Sequence, residues 1–331
     1  MSANTWRQWL RWLAPVAILV VVLVVLRDQM PFFGEAWRAV GEASIGPLLV
    51  SVATAVLSLV AMSGVMQILL NVEGRIAGVA STNAIVFASN AWSTTVPGGP
   101  AISAWLTYRV HRSWGASVGL CGWFFVVSGA LSTVWMVLIG VVAVALLGAE
   151  LSVWALAASL AAAAATIGAV FWATRHPAAL KRWVRHVPEK VRGRLVDVID
   201  QVAAIRISAP SFAAAAGLSL ANRLLDLATM MCSVWAVAGA DVPVAGVCLA
   251  FIMTKLAGSA QITPGGVGTV EPVAVGMLVA GGLPLAQATA ATVVYRAVSF
   301  ALITAIGWVV YAAVYAGRGF MVGRPSAGDA V

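Results

Sequence analysis

Thr263-Pro264-Gly265-Gly266-Val267-Gly268-Thr269-Val270-Glu271 interrupts a long apolar stretch, and its reading decides the fold. Pro264 removes a backbone donor, and Gly265, Gly266 and Gly268 tolerate dihedrals that end a helix. A helix arriving from 245–262 has to stop here and restart. A second interruption of the same kind lies earlier, at Ser93-Thr94-Thr95-Val96-Pro97-Gly98-Gly99-Pro100. Each sits between two short apolar pieces and is followed by a long apolar run. That run carries Phe124, Phe125 and Ser128 in one half and Tyr295, Arg296 and Ser299 in the other.

The surroundings say what solvent these breaks meet. The chain has 331 residues, of which 61% are apolar and 10% charged, and its mean hydropathy is +0.96. A soluble domain carries about 25% charged residues. So few charges exclude a soluble enzyme, a disordered chain and a nucleic-acid-binding module, and leave a protein solvated by lipid. The net charge of +8 then reads as basic cytoplasmic loops, not as a nucleic-acid surface. Cys121, Cys232 and Cys248 lie in apolar runs without metal-like spacing and read as small core residues.

Spans of roughly 20 apolar residues fall at 10–26, 47–70, 117–147, 152–173, 210–238, 245–262 and 288–316. The first, with Trp6, Trp9 and Trp12 before it, reads as an uncleaved span with an interfacial aromatic belt. Residues 27–46 read as an exposed loop. Residues 174–209 form the longest polar segment, with eight basic and three acidic residues. In it Val191, Leu195, Val198, Val202 and Ile205 recur at helical spacing, the mark of an amphipathic surface helix. This basic segment sets the cytoplasmic side, and Arg7, Arg11, Arg318 and Arg324 place both termini there. Counting spans makes 79–112 enter and leave on the cytoplasmic side and 245–283 on the other. The expected architecture is an all-α polytopic membrane helix bundle of two inverted halves. Residues 1–173 carry the hairpin 79–112 and residues 210–317 carry the hairpin 245–283, with 318–331 as a cytoplasmic tail. Paired Gly/Pro-broken segments in inverted halves are the pattern of membrane transporters.

Charges at depth cost at least ~2.5–3.5 kcal/mol each on insertion scales. Three cations, Arg223, Lys255 and Arg296, and two anions, Asp226 and Glu271, lie within the apolar runs of the second half. Asn222 and Tyr295 accompany them, while the first half offers Asn83, Asn90, Ser93, Thr94 and Thr95. Arg223 and Asp226 stand three apart on one helix face and are expected to pair, as are Arg296 and Glu271. Lys255 is then left for an anionic partner such as a lipid phosphate. The amides of Gly99 to Ile102 and of Gly266 to Val270 are expected to face an anion from restarted helix N-termini. His111, His176 and His186 read as surface residues beside arginines. No metal-ligand set, cofactor fingerprint or catalytic triad spacing is present, so neither an enzyme nor a bound metal or cofactor is expected.

The run Thr263 to Glu271, followed by Ala288 through Tyr295-Arg296 and Ser299, resembles the C-terminal signature of the lysylphosphatidylglycerol synthase transmembrane-region family of flippase-like proteins. Asn90 and Pro97-Gly98-Gly99-Pro100 up to Tyr108-Arg109 resemble its N-terminal signature. The resemblance implies a helical bundle with re-entrant segments that moves an aminoacylated phospholipid between leaflets. The family's best-known members add a soluble domain that makes the lipid; it is not expected here, and synthase activity does not carry over. Ala101, Ile102, Ser103 and Trp123-Phe124-Phe125 stand where many relatives carry acidic and Glu-Arg residues, which weakens the case for an aminoacyl lipid.

The expected function is therefore binding and translocation of a polar, anionic-headgroup lipid in a bacterial inner membrane. Arg223, Lys255 and Arg296 would meet the phosphate, and Asp226 and Glu271 would tune those cations or meet a lipid amine. Two other readings stand beside it. One is an accessory subunit that docks a lipid- or glycan-modifying enzyme on the 174–209 segment. The other is an ion-coupled transporter of small solutes.

Overall fold

The computed structural model describes residues 41–147, 176–184, 189–259 and 263–316, with scattered positions between 154 and 172. The expected spans at 10–26 and, for the most part, 152–173 lie outside the described residues, as do His186 and the 318–331 tail. The described residues form helices joined by short turns, with no strand among them. The elements are α1 (Ile45–Leu70), α2 (Val79–Thr95), α3 (Gly99–Ser113), α4 (Val118–Leu147), α5 (Pro177–Val184), α6 (Glu189–Ala204), α7 (Ala209–Ala238) and α8 (Val244–Ser259). A single 3-10 turn at Pro264–Gly266 leads to α9 (Val270–Ala280). The last three pieces, α10 (Leu285–Arg296), a π-helical turn (Ala297–Leu302) and α11 (Ile303–Val314), run on as one 30-residue helix.

Local chemistry sets the ends. Val96 is held extended (φ −108°, ψ 139°) by the proline that follows it, and α2 stops there. The Ser208 hydroxyl accepts from the Ser211 amide at 3.2 Å and caps α7, which starts with a proline in its first turn. Three described helices are long and apolar enough to cross a membrane unaided: Ile45–Leu70, Val118–Ala143 and Leu285–Val314. They coincide with expected spans.

α1 and α7 run antiparallel in close contact over their whole length. Ser44 N donates to Ala236 O at 2.8 Å at one end, and Asn222 Nδ2 to Ser58 O at 2.8 Å further along. Between them Ser51 Oγ donates to Thr229 O at 3.1 Å and Thr54 Oγ1 lies 3.0 Å from Thr229 Oγ1. Small hydroxyl residues let the backbones approach and tie the helices where no water competes. α2 and α3 fold back on each other, and so do α8 and α9. At the open end of the α8–α9 pair the backbones of Gly246 and Gly281 touch; a Cβ on Gly246 would come within 2.6 Å of Gly281 Cα. The two turns meet inside the bundle. Gly265 has φ +61°, and a Cβ on it would lie 2.7 Å from Thr94 O at the end of α2.

Two apolar cores flank this meeting point. One gathers Leu70, Ala77, Val110, Leu120, Ile205 and Tyr315. The other gathers Ile139, Met230, Val234, Val247, Leu278 and Leu283. The first core thus joins the turn after α1, the end of α3, the start of α4, the segment before α7 and the end of α11. These are the connections that span counting puts on one side. The amphipathic helix α6 is docked there: Gln201 Oε1 accepts from Gly119 N at 2.8 Å.

The helix after the first break runs to Ser113, within a residue of the expected hairpin boundary at 112. One expectation is corrected. His111 is no surface residue: it is fully buried, with Nε2 3.4 Å from Met66 Sδ and its ring 5.1 Å from that of Phe124. All three cysteines are buried, as expected.

Candidate functional site

Between the two cores lies a cavity of about 600 Å³. Its walls come from both halves. α1, α2, α3 and α4 contribute Ser58, Met66, Asn90, Ser93, Ser103, Thr107, Phe125 and Ser128. α7, α8 and the last helix contribute Asn222, Arg223, Asp226, Thr254, Lys255, Tyr295, Arg296 and Ser299. Most of the residues singled out in the sequence therefore line one space: Asn90, Asn222, Arg223, Asp226, Lys255, Tyr295 and Arg296. Of the break residues, Gly265 reaches it, as does Pro100. Glu271 is not among the lining residues, nor are Pro97, Gly98, Gly99, Pro264, Gly266 and Gly268.

Both expected pairs are present, but the one on α7 is long and shared with Lys255, which was expected to be left over. Asp226 Oδ2 lies 2.6 Å from Lys255 Nζ and 4.0 Å from Arg223 Nη1. Lys255, reaching across from α8, takes the carboxylate that the i,i+3 spacing assigns to Arg223. The Arg223 guanidinium instead donates through Nη2 to Ser132 Oγ, and its buried Nε makes no hydrogen bond. Arg223, not Lys255, is the less compensated cation. Lys255 also sits 5.4 Å from the Phe251 ring and 6.0 Å from the Tyr295 ring, within cation–π range.

The pair of Arg296 and Glu271 is present, with Nε 2.7 Å from Oε1. It serves the break. Arg296 Nη2 donates to Gly265 O at 2.9 Å, and Glu271 Oε2 accepts from Gly268 N at 2.7 Å. Arg296 stacks over Phe300 at 4.3 Å. The two side chains thus clamp the 3-10 turn from both sides.

Most of the break amides expected to face an anion are spent within the turns, and Gly268 N is taken by the Glu271 carboxylate. Gly99 N donates to Val96 O, and Ala101 N and Ile102 N donate to Gly98 O. Gly266 N donates to Thr263 O, Val267 N to Pro264 O and Thr269 N to Gly266 O. Tight turns close their own hydrogen bonds, so the side chains carry the polar chemistry of the cavity. Ser58, Ser103, Thr107 and Thr254 were not singled out in the sequence. Their signal is a small polar residue recurring every three or four positions along an apolar helix, as in Asn90–Ser93 and Ser103–Thr107.

The lysylphosphatidylglycerol synthase TM region model matches residues 12–307. The chain belongs to this family. No curated protein matches it. As a member of the lysylphosphatidylglycerol synthase TM region family with several long apolar helices, it is a multi-pass membrane protein. The matched span takes in both helix breaks and every charged residue of the cavity.

Proposed function

We propose that this chain binds a polar lipid through an anionic headgroup and moves it between the leaflets of a bacterial inner membrane. The observation that carries the reading is a polar cavity between two apolar cores, with three cations against two acids around it. An excess positive charge at such a place is costly when empty and relieved by an anion. In this reading the α2–α3 and α8–α9 pairs are re-entrant hairpins of two inverted halves, opening to opposite faces. The antiparallel pairing of α1 with α7, the corresponding helices of the two halves, supports it. Both termini then lie in the cytoplasm. The chain acts as a carrier with no bond-making step and no cofactor. A separate enzyme that modifies the lipid would supply or consume its cargo.

The test is leaflet-resolved lipid analysis of membranes with and without the chain, and with Arg223→Gln/Lys255→Gln. The wild-type chain shifts one polar lipid between leaflets, and the double variant, if folded and inserted, loses at least nine-tenths of that shift (about tenfold for ~1.4 kcal/mol of lost interaction). Full activity of the double variant would overturn the reading. A loss seen only on deleting 188–206 would favour the docking of a partner enzyme instead.

A further inference from the structure

The cavity has two unlike walls. Its cationic wall, α7 and α8, holds Arg223, Lys255 and Asp226. Its opposite wall, α2 and α3, holds Asn90, Ser93, Ser103 and Thr107 without a charge. Among the described residues the side chains of Asn90, Ser93 and Ser103 make no hydrogen bond within the protein, so their donors and acceptors are free for an occupant. Thr254, 3% exposed and lining the same space, has a hydroxyl with no partner. Buried polar groups are normally satisfied, and the Thr254 hydroxyl, with the half-buried Asn90, Ser93 and Ser103 beside it, points to an occupant that supplies hydroxyls.

The acids speak to charge. Asp226 is the one carboxylate among the described lining residues, and it is already held by Lys255 at 2.6 Å with Arg223 beside it. Glu271 lies behind the lining and is committed to Arg296 and Gly268 N. A headgroup amine would find no free anion. The charge count around the site, +3 from Arg223, Lys255 and Arg296 and −2 from Asp226 and Glu271, leaves +1. One negative charge neutralises it.

We infer that the cavity selects a lipid whose headgroup is a single phosphodiester bearing a neutral polyol, such as glycerol, inositol or a sugar, and rejects headgroups that carry an amine. The phosphodiester sits against Arg223 and Lys255, and the polyol hydroxyls reach Asn90, Ser93, Ser103 and Thr254. The inference rests on the transport reading and specifies its cargo.

The test uses the purified full chain in liposomes doped with acyl-labelled fluorescent lipids. The probes are phosphatidylglycerol, phosphatidylinositol, phosphatidic acid, phosphatidylethanolamine and lysylphosphatidylglycerol. Movement is read from the dithionite-accessible fraction over time, and binding from the lipid retained by the detergent-solubilised protein in native mass spectrometry. Phosphatidylglycerol and phosphatidylinositol should move and bind best. Phosphatidic acid should be about 3–10-fold weaker for the lost polyol hydrogen bonds, and the two amine-bearing lipids should stay at the protein-free rate. Ser93→Ala/Ser103→Ala should shrink the advantage of phosphatidylglycerol over phosphatidic acid. Amine-bearing lipids moving or binding as well as phosphatidylglycerol would overturn the inference. If no lipid moves while phosphatidylglycerol is still bound selectively, the transport reading fails and the headgroup assignment survives. If no probe is bound selectively, the headgroup assignment fails.

Discussion

The two helix breaks use nearly the same letters, Pro-Gly-Gly, and are held in different ways. The first closes on itself through backbone bonds such as Gly99 N to Val96 O at 2.8 Å, and no charged side chain is bonded to it among the described contacts. The second has the same kind of backbone closure and is also clamped by Arg296 on Gly265 O and by Glu271 on Gly268 N. Both turns are crowded at one glycine, but against different neighbours: a Cβ on Gly99 would meet its own helix end at Ser93 O and Trp92 O, while one on Gly265 would meet Thr94 O of the other break and the Phe300 ring; a Cβ on Gly98 would meet nothing within 4 Å. The lesson is a division of labour. One half supplies neutral hydroxyl groups from a self-contained turn; the other supplies charge, and part of that charge is used to hold its own turn.

The sharpest way to break this comparison is at the clamp. Glu271→Gln leaves Arg296, with 16% of its side chain exposed, facing a turn without its anion. Removing one partner of a buried pair costs roughly 3 kcal/mol. Purified protein in detergent should unfold at a clearly lower temperature. The Glu271→Gln/Arg296→Gln double variant should lose less than the two single changes added together; additive losses would refute the clamp. A smaller effect separates the turns. Gly265→Ala and Gly98→Ala both place a side chain at positive φ (+61° and +69°), worth about 1–2 kcal/mol each. Only Gly265→Ala adds a clash with backbone, so it should be the more destabilising in the same melting assay, and equal losses would contradict the packing. The smallest effect is at the periphery. Lys181 and Asp200 pair at 2.6 Å but stand 38% and 55% exposed. Lys181→Ala should cost no more than about 1 kcal/mol and vanish in high salt. A larger loss would mean that the α5–α6 segment carries the fold.

The helices were legible because lipid imposes a simple code. Apolar runs of spanning length and two Pro-Gly interruptions marked α1, α4, α7, the last helix and both helix pairs to within a few residues. The errors come from groups whose partners are distant in the chain. His111 looked exposed because Arg109 and Arg112 flank it, yet it continues the inward row of Ser103 and Thr107 at helical spacing and ends against Met66 of α1. Local spacing assigned Asp226 to Arg223; the third dimension brought Lys255 closer. The amides after each break looked free because a sequence shows where a helix stops but not how tightly the turn closes. The shared cavity was legible in its charged members and hidden in residues such as Ser103 and Thr254, which look like ordinary interhelical glue until their side chains are seen to make no hydrogen bond.

Two apolar blocks flank a cavity lined in part by charged and polar side chains. Whatever fills that cavity would contact both blocks, so melting temperature becomes a reporter of occupancy. A ligand present at a hundred times its dissociation constant adds about 2.7 kcal/mol, more than most single substitutions remove. Delipidated preparations would then be fragile for lack of their occupant, and the lipid that restores them most at equal concentration would identify itself before any transport is measured.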